Sequence, residues 1–184
     1  MSTPTVRLRR WTRHEYERMV ETGIFGPEDH IELLDGEIVE MTPQGSRHIS
    51  IVALVDEVLR QTLPIDCHIR PQGPIALDSS SEPEPDIAVV RGAPRDYLDG
   101  HPSETLLVLE VSDSSLPYDR GRKLHAYARN GVPEYWIINL IELRLEVYRQ
   151  PSEEGYAEVS ILTAGDQVTP LYADASIIVG DLLP

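Results

Sequence analysis

The chain has 184 residues, 41% of them hydrophobic, which suits one packed interior and excludes wholesale disorder. Acids outnumber bases 31 to 16, a formal charge of −15, and such a surface repels phosphate backbones at long range, which argues against a protein that coats nucleic acid. No uncharged apolar run approaches the ~18 residues of a membrane helix, and a single cysteine, Cys67, excludes an intrachain disulfide or a cysteine zinc site.

Residues 1–13 carry Arg7, Arg9, Arg10 and Arg13 and no acid. This basic arm reads as a solvated terminus, with contact to a polyanion or an acidic neighbour as the alternative. It has no apolar core, so no signal peptide is expected and the cytoplasm is the expected compartment. Residues 12–22 predict a short helix with Thr12 as N-cap and Gly23 past its end. Asp35-Gly36 marks a tight turn between two strand-like stretches. A second helix is predicted from Ser46, because Ile51, Leu54, Val55, Val58 and Leu59 recur at helical spacing. Residues 67–77 read as a strand broken by Pro71 and Gly73, and 87–90 as a short strand after the polar, proline-bearing 79–86. Residues 91–104 read as loop.

The nearly continuous apolar run 106–111 has the pattern of a strand covered on both faces. A helix over 118–129, ended by Asn130-Gly131, and a strand over 134–139 complete a strand–helix–strand unit, and hence a parallel pair. Residues 143–149, 156–162 and 176–179 predict further strands in a C-terminal meander. The expected fold is α/β (α+β), a central mixed sheet flanked by helices with additional antiparallel C-terminal strands. One domain is expected over 1–184, with its core at about 28–180.

Two acids stand out within these elements. Asp86 opens one central strand, and Glu110 lies between Leu109 and Val111 near the end of the other. An ionised carboxylate buried without a partner is expensive, so Glu110 is paired, protonated, bound to a metal or at the lip of the sheet. Fifteen of the sixteen basic residues are arginine, and Lys123 is the only lysine. A guanidinium is permanently charged, whereas an ammonium shifts its pKa and acts as a point charge. Asp119, Lys123 and Tyr127 share a helix face by spacing. If the strands are neighbours, both acids and the lysine reach one cleft. Two carboxylates and a lysine suffice for metal-assisted phosphodiester hydrolysis. Hard oxygens hold the ion, the ion activates a water, and the ammonium orients or deprotonates that water or offsets the developing anion. The blander alternative is a strand acid in an ion pair and an exposed Asp119–Lys123 pair worth roughly 0.2–0.5 kcal/mol. His14, His30, His68, His101 and His125 show no ligand spacing. No phosphate loop, dinucleotide fingerprint or nucleophile elbow is present.

The stretches PDIAVV, LLVLEVSDSS and YDRGRKLHAYARNGVPEYWIIN resemble the hallmark region of a bacterial restriction-endonuclease-like family, a branch of the PD-(D/E)XK nuclease superfamily. IELLDGEIVEMTPQGSRHISIV resembles its start, and together these cover roughly residues 30–140. The resemblance implies a four-strand core flanked by helices. It puts Pro85-Asp86 at the PD element and Glu110 at the second acid. The superfamily's lysine would stand at Ser112; Lys123, on the following helix, takes its place. It implies Mg²⁺ or Mn²⁺ held by Asp86 and Glu110, and DNA as substrate. Glu32 becomes a third acid and His48 an auxiliary contact to metal or phosphate. A homodimer is expected, because cutting both strands takes two sites; a monomer mass by light scattering would exclude it. Asn139-Leu140 stands where relatives show Asp-Pro, with an expected effect on a turn only. Two alternatives remain at this stage. One is a binding or assembly module that keeps the fold without catalysis, motivated by the −15 charge and the lack of a basic stripe. The other is a metal-dependent hydrolase of small phosphate esters.

Overall fold

A computed structural model describes residues 7–26, 28–41 and 43–184. Residues 1–6 of the predicted arm lie outside the described residues. Thr12 caps α1 (Arg13–Glu21): its hydroxyl accepts from the Glu15 amide, and the Glu15 carboxylate accepts from the Thr12 amide. Asp35 and Gly36, at φ 55° and 73°, make the turn between β1 (Ile31–Leu34) and β2 (Glu37–Glu40). A Cβ at Gly36 would lie 2.8 Å from the Arg10 Cβ, because the end of the arm packs on this turn. The Trp11 amide donates to Gly36 O at 2.9 Å, and Arg10 pairs with Glu37 at 2.6 Å. Residues 7–10 stay exposed, as a solvated arm would, while Arg9 and Arg10 pair with Glu15 and Glu37 of the same chain.

Six strands form the central sheet in chain order: β3 (Cys67–Pro71), β4 (Ile87–Arg91), β5 (Leu107–Ser112), β6 (Glu134–Asn139), β7 (Arg144–Ser152) and β8 (Gly155–Leu162). Only β5 and β6 are parallel, so the sheet is mixed, with antiparallel C-terminal strands, as the sequence predicts. β9 (Gln167–Val168) and β10 (Ile177–Ile178) pair with each other instead, so the last predicted strand leaves the meander.

The two faces of β5 pack differently. Leu107, Leu109 and Val111 share a cluster with Val55 and Leu59 of α2 (Ser46–Arg60) and with Trp136 and Ile138 of β6. Val108 joins the opposite cluster with Ala88, Val90, Tyr127 and Tyr135. Each fully buried large side chain contributes about 1.5–3 kcal/mol. A one-residue slip would exchange the faces and drive Glu110 into the apolar layer under α2, so the register is strongly specified.

The β5–β6 crossover is α3, over 116–129. It is an α turn at Leu116–Tyr118, a π turn at Asp119–Lys123 and an α segment at Leu124–Arg129. Within it the Leu124 amide reaches back to the Asp119 carbonyl. The Ser112 and Ser115 hydroxyls donate to Asp119 Oδ2 at 2.7 and 2.6 Å, pinning the wide turn to the end of β5. Such single wide turns are frequent at functional sites. Among the described residues, no helix is long and apolar enough to cross a membrane.

Candidate active site

Ile87 stands opposite Leu109 in the antiparallel β4–β5 ladder, so Asp86 falls opposite Glu110. Opposed side chains share a sheet face. The Asp86 amide lies 3.4 Å from Glu110 Oε2, and the Val111 amide donates to Asp86 Oδ2 at 2.8 Å. Lys123 Nζ lies 2.9 Å from Glu110 Oε1 and 3.2 Å from Glu32 Oε2. The Tyr127 hydroxyl donates to the same Glu110 oxygen at 2.9 Å. Glu32, on β1, accepts from the Glu84 amide and the Tyr118 hydroxyl, both at 3.0 Å. His48 Nε2, in the first turn of α2, sits 3.0 Å from both Asp86 Oδ2 and Val111 O. The Gln44 amide group donates to Asp86 Oδ1 at 3.3 Å.

All five residues singled out in the sequence, Glu32, His48, Asp86, Glu110 and Lys123, thus meet in one place. The exposed Asp119–Lys123 pair does not exist: both side chains are buried, and Asp119 is taken by the two serines. Sequence reasoning missed Tyr118 and Gln44 as anchors. Tyr127 was visible on the Lys123 face, but its hydroxyl contact was not.

The electrostatics are lopsided. Glu32, Asp86, Glu110 and Asp119 are each at most 6% exposed. Facing them are one ammonium, Lys123, and one imidazole, His48. Burial pushes the Glu110 carboxyl well above its usual range, with Lys123 pulling the other way. Burial also raises Asp86, opposed by the Val111 amide and by His48. Burial works against the Lys123 ammonium too, but Glu110 and Glu32 overcome it and hold its pKa well above the ordinary value. The group therefore keeps its proton.

These side chains border a cleft of about 660 Å³. Among the described residues, no three His, Cys, Asp or Glu side chains are arranged to cage an ion unaided. Two hard carboxylates beside surplus negative charge suit a cation that keeps most of its waters, which is the habit of Mg²⁺ and Mn²⁺.

The profile of the Uma2 family, described as putative restriction endonuclease, matches residues 13–176. The chain belongs to that family. Its fold is similar to the crystal structure of a putative nuclease belonging to DUF820 from Anabaena variabilis ATCC 29413. The two are 19% identical, with a TM-score of 0.71 over 93% of this chain and 96% of that one. No curated protein matches the chain. Two departures of this Uma2 chain, Ser112 from the superfamily pattern and Asn139 from the Asp of its relatives, now have structural roles. Ser112, at the usual lysine position, braces the turn that delivers Lys123. Asn139 Oδ1 accepts the Ile141 and Glu142 amides at 3.0 Å, the expected turn, while its Nδ2 also donates to Glu146 at 2.9 Å.

Proposed function

We propose that this Uma2-family chain is a Mg²⁺- or Mn²⁺-dependent endonuclease that hydrolyses phosphodiester bonds in DNA. The supporting observation is the opposition of Asp86 and Glu110 across the β4–β5 ladder, with Lys123 on Glu110 and the charge left under-neutralised beside an open cleft. Asp86 and Glu110 would hold the ion, which when bound activates a water and offsets phosphate charge. Lys123, keeping its proton, orients the attacking water and stabilises charge developing on the phosphate; it is not the base. His48 and Gln44 fix Asp86, Tyr127 fixes Glu110, and Glu32 with Tyr118 aims the ammonium.

The test is cleavage of labelled DNA with Mn²⁺, comparing the wild type with Glu110→Gln and Lys123→Met. The wild type should cleave, EDTA should stop it, and each variant should lose about 100-fold or more. Equal cleavage by all three, or none by the wild type, rejects the proposal. The −15 charge favours one second reading, a hydrolase of small phosphate esters. Mn²⁺-dependent turnover of nucleotides with polymers left intact would select it.

A further inference from the structure

Most arginines of this chain are matched to its own acids. Arg60 pairs with Asp56, Arg120 with Glu146, Arg122 with Glu37, Arg129 with Asp35 and Arg149 with Glu134. Arg47 has no such pair among the described residues. Its own helix offers none either: the residues three and four positions away are Gln44, Pro43, Ser50 and Ile51, and no acid stands in the first turn of α2. Arg18 and Arg95 are likewise exposed without an ion pair among the described residues, so what sets Arg47 apart is where it stands.

Its position is specific. Arg47 lines the same cleft as Asp86, Glu110 and Lys123, and it is the only arginine among the described residues that does. The residues on either side of it are tied down. Gln44 reaches Asp86 Oδ1 at 3.3 Å, and His48 reaches Asp86 Oδ2 at 3.0 Å. The start of α2 is therefore docked on a candidate ion ligand, with Arg47 carried between the two contacts. Surplus carboxylates on the floor of the cleft repel a phosphate until a cation is bound. A free planar fork on the rim matches a phosphate in two-point contact.

We infer that Arg47 holds a phosphodiester of the nucleic-acid strand, next to the one presented to Asp86 and Glu110. The inference rests on the proposed nuclease reading for the identity of that strand. It also sets a number. Each phosphate contact adds about 0.7–0.9 to the slope of log affinity against log salt. A single free guanidinium in the cleft gives a shallow dependence, unlike the steep one of a protein with a basic stripe.

The experiment is fluorescence anisotropy of a labelled DNA oligonucleotide across a salt series, with Ca²⁺ replacing Mn²⁺, for wild type, Arg47→Ala and Arg47→Lys. Arg47→Ala should bind about tenfold more weakly, with the salt slope lowered by about 1. Arg47→Lys should keep the slope while recovering only part of the affinity, because it keeps the charge and loses the fork. In Mn²⁺ cleavage, Arg47→Ala should raise KM far more than it lowers kcat. Its Mn²⁺-induced rise in melting temperature should equal that of the wild type, which separates a phosphate contact from damage to the ion site. Unchanged affinity and slope in Arg47→Ala overturn the inference, and so does a wild type that fails to bind the oligonucleotide. A wild type that binds through Arg47 but cleaves nothing leaves this contact standing and removes the nuclease reading. A wild type that cleaves equally well with Arg47→Ala removes this contact alone.

Discussion

Two groups of buried acids sit in the same sheet and differ in what surrounds them. Glu134 of β6 is fully buried. Its Oε1 accepts from Arg149 at 2.9 and 2.6 Å and from the Trp136 indole at 2.9 Å, and its Oε2 accepts from the Leu171 amide at 2.8 Å. Glu146 of β7 accepts from Arg120, Arg144, Asn139 and Tyr148. Burial pushes Glu146 up, but Arg120, Asn139 and Tyr148 together bring it down to about 2. At the cleft the same burial has the opposite outcome, because one ammonium serves both Glu110 and Glu32. A buried acid in this sheet is therefore no mark of function by itself. An acid left under-neutralised beside open volume is one, since that costs stability with no packing return.

The comparison breaks if the two kinds of acid respond alike to neutralisation. Glu110→Gln removes surplus charge, so it should abolish cleavage while leaving the melting temperature equal or higher. Arg149→Ala strands Glu134 in the core. It should cost about 3 kcal/mol, a fall of roughly 6–12 °C for a chain of this length. Its cleavage rate per folded molecule should not change. Thermal melts run beside the cleavage assay decide it. A Glu110→Gln protein that melts as low as Arg149→Ala would erase the distinction.

The next effect is in pH. Glu146 titrates in the fold below its ordinary 4.5, so its stabilisation is full above 4.5 and is lost as pH falls toward about 2. The cleft acids carry the opposite sign. Glu110 and Asp86 are raised, so the fold favours their protonated forms, and that contribution is lost as pH rises above their ordinary 4.5 and 3.8. Glu82, raised to about 7 by burial and by Glu17, loses its share between 4.5 and about 7. Without metal, the melting temperature should peak in mild acid and sag toward neutrality. Mn²⁺ binds the ionised carboxylates, so it should stabilise more at pH 8 than at pH 5, by about 2.7 kcal/mol at a hundredfold excess over Kd. A response to millimolar Mn²⁺ that is flat in pH would detach the metal from these carboxyls. No response at all would favour a binding module that keeps only the fold.

Part of this was legible beforehand, for physical reasons. The continuous apolar run before Glu110 and the helical interval before 134–139 announce a covered strand and a parallel partner, and both are present. Lys123 is conspicuous by being alone. The opposition of Asp86 and Glu110 was not legible, because pairing register is decided by packing on both faces of β5 rather than by either segment. The aim of Lys123 depends on the π turn at Asp119–Lys123, which no local spacing announces. Tyr118 reaches Glu32 across 86 residues of chain. On a helix, such a tyrosine reads as core until the fold supplies its partner. Arg10 looked free for a polyanion because its acid, Glu37, lies beyond an intervening helix.

The smallest effect is the sharpest, since two matched tyrosines can be compared. Tyr127 donates to Glu110 Oε1 at 2.9 Å, and Tyr148 donates to Glu146 Oε2 at 2.8 Å. Each change to Phe removes one hydrogen bond to a buried carboxylate, worth about 1.5–3 kcal/mol before relaxation. Glu146 keeps its guanidinium partners, so Tyr148→Phe should cost some stability and leave the pH–rate profile where it was. Glu110 keeps Lys123, itself shared with Glu32, and only the long 3.4 Å contact from the Asp86 amide, so its carboxyl should rise further. The acid limb of the Tyr127→Phe cleavage profile should then move to higher pH, with the alkaline plateau lowered less than about tenfold. Profiles that move together, or not at all, would mean that the hydroxyl on Glu110 only packs, and that the surplus charge at the cleft is not what sets its chemistry.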